Sequence, residues 1–155
     1  MSKKQLIVVI TAIAALVLLY FLPTKSSSEV HSDMTREQML NKKIDEALVI
    51  IQTQQAPMPG IKLLKEVLEE DPKNVRALGI LIEGCFRTGQ YDKAASYLER
   101  LAEIQPSPVV MKQLGDTYLM LKDTTKAKTV FTKLYESTKD STQKKEVQEI
   151  INQLK

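Results

Sequence analysis

Two kinds of apolar pattern divide the chain. From Leu6 to Leu22 the run LIVVITAIAALVLLYFL is apolar at every position except Thr11. Beyond a polar, Ser-rich stretch, apolar residues recur at steps of three and four, the spacing of one helix face. Ile44, Ala47, Leu48 and Ile51 mark one such face, and Ile61, Leu64, Val67 and Leu68 mark the next, with Pro57 and Pro59 in the loop between. Leu78, Leu81, Ile82 and Cys85 predict a helix over 75–87. Ala94, Leu98, Leu101 and Ala102 predict its partner over 91–104, after the turn Thr88-Gly89-Gln90. A further pair is expected over 109–121 (Leu114, Gly115, Tyr118) and 125–135 (Ala127, Val130, Phe131, Leu134). A last amphipathic helix over 140–154 carries Val147, Ile150, Ile151 and Leu154, with Asp140 and Gln143 at capping-box spacing.

These helices repeat. Pro72 and Pro106 are 34 residues apart, as are Leu64 and Leu98. Ala94 to Ala127, Leu98 to Phe131 and Leu81 to Leu114 are each 33 apart. A period of this length points to stacked helix pairs, in which each pair buries its apolar faces against its neighbours. The residues Gly89, Tyr91, Ala94, Leu98 and Pro106, then Leu114, Gly115, Tyr118, Ala127 and Phe131, resemble the tetratricopeptide repeat (TPR) family over about residues 41–137. Three positions depart from the family pattern: Ile82 replaces a small residue, Lys122 a turn glycine and Gly60 an alanine. The bulk of Ile82 predicts wider packing of its helix pair.

The resemblance implies an all-α solenoid of about three repeats, 41–72, 75–106 and 108–138. The helix over 140–154 is then a cap, with its polar face outward. Preceding them, residues 1–23 are expected to form a signal anchor or transmembrane helix and residues 24–38 a flexible polar tether. At 17 residues, or about 26 Å as a helix, the apolar run is at the short end for crossing a bilayer. A cleaved signal peptide is the rival, but its apolar region is usually shorter, and Leu22-Pro23-Thr24 is a poor small-x-small cleavage site.

Charge refines the picture. The net charge of +3 comes from Lys3, Lys4 and Lys25, and from Ser26 onward basic and acidic residues balance. No basic face for nucleic acid is expected. Lys3 and Lys4 ahead of the run place the N-terminus in the cytoplasm and the C-terminal domain on the far, periplasmic side of an inner membrane. A cytosol-facing receptor on an organelle membrane is the alternative, weakened because little basic charge follows the run.

Catalytic chemistry is scarce. His31 and Cys85 are the sole residues of their types, and no HExxH, CxxC, GxSxG or phosphate-loop motif occurs. Cys85 falls on an apolar helix face and His31 in the tether. We expect no enzyme, no cofactor, no metal and no small-molecule substrate. What remains is the concave face of the solenoid, lined by the first helix of each pair. Its candidate partner-binding residues are Arg76, Glu83, Phe86 and Arg87, then Lys112, Gln113, Asp116, Leu119 and Met120. Phe86, Leu119 and Met120 are apolar residues outside the packing stripe, and Arg76, Arg87 and Lys112 suit a peptide carboxylate. Some family members clamp a partner's C-terminal carboxylate with Lys and Asn; here Glu83 and Asp116 stand where those asparagines would be. The resemblance therefore implies a non-enzymatic adaptor for another protein or peptide, with export-associated chaperoning, scaffolding or cytochrome c maturation as the expected settings.

Overall fold

A computed structural model describes residues 35–53 and 57–154. Every regular element among them is α-helical: α1 (Arg36–Thr53), α2 (Met58–Glu70), α3 (Val75–Arg87), α4 (Tyr91–Ile104), α5 (Pro108–Met120), α6 (Thr124–Ser137) and α7 (Ser141–Gln153). The apolar run, Lys3, Lys4, Lys25 and His31 lie outside the described residues. Among the described residues no helix is long and apolar enough to cross a membrane.

The chain divides into two units, Met1–Met39 and Leu40–Lys155. The described part of the first is the start of α1. There the Thr35 N–H donates to Gln38 Oε1 (2.8 Å) and the Gln38 N–H donates to Thr35 Oγ1 (3.3 Å). This reciprocal capping box starts the helix inside the segment expected to be tether.

In the second unit, helices that follow one another in sequence pack together from α2 through α7. Their predicted stripes form the core. Leu78, Leu81, Ile82, Cys85, Ala94, Leu98, Leu101, Leu114, Tyr118, Ala127, Phe131 and Leu134 are all buried. The pair α5/α6, which carries Gly115, packs more extensively than α3/α4, which carries Ile82. A Cβ built on Gly115 would lie 2.7–2.9 Å from three ring atoms of Phe131, so only glycine fits there. Gly60 is the same case in the first pair: its Cβ would meet the Ala47 carbonyl oxygen at 2.6 Å and Ile51 at 2.7 Å.

The turns repeat as faithfully as the core. After α3, the Gly89 N–H donates to the Phe86 carbonyl and the Gln90 N–H to the Cys85 carbonyl. After α5, Lys122 donates to Leu119 and Asp123 to Tyr118, the same Schellman pattern one repeat later. Gly89 takes φ +68° and Lys122 takes φ 60°, so the lysine occupies a left-handed conformation that glycine adopts freely. Asn74, Ser107, Asp123 and Asp140 cap their helices by accepting backbone N–H bonds.

Two local expectations change. Pro59 belongs to the first turn of α2, where its missing N–H costs nothing, and is not a loop residue. The Asp140–Gln143 box is only half formed. Asp140 accepts from Thr142 and Gln143, but Gln143 Oε1 accepts from the hydroxyl of buried Thr138 and does not reach back to its own cap. α7 covers α6 with buried Val147, and Ile150, Ile151 and Leu154 pack partly buried beside the core.

Candidate functional site

α1, α3 and α5 are the first helices of three successive pairs, and the candidate residues lie on α3 and α5. Arg76, at the start of α3, donates to Asp45 of α1 at 2.6 Å. Lys112 of α5 pairs with Asp116 one turn on (3.2 Å) and lies 3.9 Å from Glu146 of α7. Two of the three cations assigned to a partner's carboxylate thus already face carboxylates of this chain: Arg76 that of the neighbouring first helix, Lys112 those of its own helix and of the cap. These exposed pairs contribute little stability, and they set the charge pattern of the face. Arg87 and Glu83 are exposed and make no ion pair among the described residues. Gln113 is exposed, and its carbonyl accepts from the Thr117 hydroxyl at 2.6 Å.

The three apolar candidates separate. Met120 is 56% exposed. Phe86 and Leu119 are half-buried against the core, and the Phe86 ring sits 6.1 Å from that of Tyr91. Their first role is packing. Val109, on the same face of α5, is 75% exposed, and two further exposed apolar residues on first helices, Val49 (59%) and Val75 (39%), were not among the sequence-predicted positions. With Met39 and Met120 they make five of the six large exposed hydrophobics among the described residues, and all five lie on first helices; the sixth, Met58, opens α2. Exposed valines at the steps between packing positions carried the signal, but the apolar stripe masked it.

Gly79, at the middle of the exposed side of α3, has nothing within 4 Å of where a Cβ would stand. No packing requirement accounts for it, although glycine in a helix interior costs about 1 kcal/mol relative to alanine. It leaves bare backbone at the centre of this face.

Cys85 is buried, and desolvation raises its thiol pKa, which keeps it protonated and poorly nucleophilic. No group of His, Cys, Asp or Glu among the described residues is arranged to hold a metal ion. The face offers contact area, bare backbone and a few charges, which suit recognition of another chain.

Two family models described as tetratricopeptide repeat match the sequence, over residues 52–114 and 113–141. The chain belongs to the tetratricopeptide-repeat family. Among solved structures, a mutant of MamA is similar at 18% identity with a TM-score of 0.51, over 83% of this chain and 85% of that one. That likeness concerns the fold alone. No curated protein matches the sequence. TPR domains are protein-interaction modules and generally non-enzymatic, so an adaptor or scaffold role follows from the family.

Proposed function

We propose that this TPR protein is a membrane-held adaptor whose first-helix face binds a protein or peptide on the periplasmic side of the inner membrane, in assembly, export-associated chaperoning or scaffolding. The observation that carries the binding reading is the gathering of exposed Val49, Val75, Val109 and Met120 on α1, α3 and α5. Apolar side chains left in water on one set of helices lower their free energy when a partner covers them. Gly79 lets a partner approach the α3 backbone closely. The unbroken Leu6–Leu22 run behind Lys3 and Lys4 supports the anchor and its orientation.

Because Phe86 and Leu119 help hold the core, the informative variant changes Val109 and Met120. Val109→Ser with Met120→Ser should fold as the parent does and lose partner capture in crosslinked membranes. Undiminished capture would remove this face from the proposal. Topology is tested separately: a reporter active only after export, fused behind Lys155, should be active. Activity of a cytoplasm-only reporter at the same place would reverse the orientation.

A further inference from the structure

A groove lies away from the first-helix face. It has a volume of about 690 Å³ and runs between α4 and α6, with α5 as its base. Its floor is apolar: Ala102, Met111 and Val130 are half-buried and Leu114 is buried. Its α4 wall is acidic, with Glu99 and Glu103, and its α6 wall is basic, with Lys126 and Lys133.

Two of these charges are engaged at one end. Buried Tyr118 donates to Glu99, and the Lys126 ammonium stands 5.1 Å over the Tyr118 ring. That seam ties the three helices together and fixes the groove's shape before anything binds. Glu103 and Lys133 are different. Both are exposed, they line the same groove, and neither makes an ion pair among the described residues. An apolar floor flanked by free charge of opposite sign on its two sides defines a complementary ligand.

We propose that this groove seats an amphipathic helix of a partner protein, apolar face down, with basic residues along α4 and acidic residues along α6. The walls are helices whose backbone groups are bonded internally, so they have no free edge to hydrogen-bond an extended strand. A helix satisfies its own backbone and so fits these walls without needing an edge to pair with. Met111 in the floor adapts to differently shaped apolar side chains. The groove uses Met111, Leu114 and Tyr118, on the side of α5 opposite Lys112, Asp116 and Met120. The inference therefore stands apart from the first-helix reading, and one chain would hold two partners, or two parts of one.

The test uses the full chain and three fluorescent helical peptides of about five turns. All three share a leucine stripe; one has Lys on one flank and Glu on the other, one has Lys on both, one has Glu on both. Anisotropy should show the mixed peptide binding about fivefold more tightly than either uniform one, the effect of one additional rim ion pair. Because a helix can lie either way along a groove, the decisive readout is the response to single changes on each wall. Glu103→Lys should move the preference to the all-Glu peptide, and Lys133→Glu to the all-Lys peptide. Glu136→Gln, on the exposed side of α6 and outside the groove lining, should change nothing. Absent binding, equal binding of all three peptides, or a preference that ignores both wall variants overturns the proposal.

Discussion

The same substitution at two helix glycines should have opposite effects. Gly79 and Gly115 both sit inside first helices, and alanine at either gains about 1 kcal/mol of helix propensity. At Gly79 the new methyl meets nothing within 4 Å, so the gain stands alone and Gly79→Ala should stabilise by about 1 kcal/mol. At Gly115 it would fall 2.7, 2.8 and 2.9 Å from three atoms of the Phe131 ring. That ring is completely buried and has little room to yield, so the overpacking cost belongs near the upper end of the usual ~1–3 kcal/mol. Gly115→Ala should therefore destabilise by about 2 kcal/mol net, leaving the two variants about 3 kcal/mol apart. Urea unfolding followed by circular dichroism measures this as a midpoint separation of roughly 1–3 M. An unchanged slope is needed in each curve, because repeat arrays can lose two-state behaviour. Gly115→Ala as stable as the parent would refute the assigned contact between α5 and α6, and Gly79→Ala less stable than the parent would refute the open surroundings of Gly79 on α3.

Other substitutions probe the repeat geometry. Lys122→Gly should stabilise by about 0.5–1 kcal/mol by removing a side chain from left-handed backbone, read by the same melts. Ala94→Leu, at a fully buried site, should destabilise by about 1–3 kcal/mol, and an unchanged midpoint would argue against the register of α4. Burial, then the hydrogen bond to Glu99, holds the Tyr118 phenol pKa above its ordinary 10.0, so the folded chain keeps a proton that the unfolded chain releases. The Tyr118 contribution is complete below about pH 10 and declines as pH rises past it. Tyr118→Phe should cost about 1 kcal/mol at neutral pH and flatten the loss of stability in alkali, measured by urea midpoints across that range.

The helix pairs were legible in the sequence because each carries a stripe of three- and four-residue steps, punctuated by Pro72, Gly89 and Pro106. Helices α3 and α4 have the predicted ends. The start of α1 was hidden because Thr35 and Gln38 looked like ordinary polar tether until their reciprocal hydrogen bonds were visible. Lys122 stood where a turn glycine was expected, and its lysine side chain gives no sign of left-handed backbone; only the repeat spacing did.

The candidate site was less legible, for a physical reason. Periodicity says which side of a helix faces the core, but not how far a side chain at the margin leans inward. Phe86 and Leu119 stand at that margin and pack partly on the core, whereas Val109 and Met120 remain in solvent. Nor does periodicity reveal pairing across repeats. Asp45 with Arg76 and Glu146 with Lys112 are 31 and 34 positions apart, and stacking of the repeats brings them together. The outer groove needs three helices at once, which no single stripe encodes.

The proposed function rests on the first-helix face of the repeats holding a protein partner. Its most direct test is a photo-crosslinking residue placed in living cells at Val109 or Met120, and at Glu136 on the exposed side of α6 as the control. Adducts of one discrete mass from Val109 and Met120, absent from Glu136, are the predicted result. Adducts of equal yield and pattern from all three positions, or none from the first-helix positions, would contradict it.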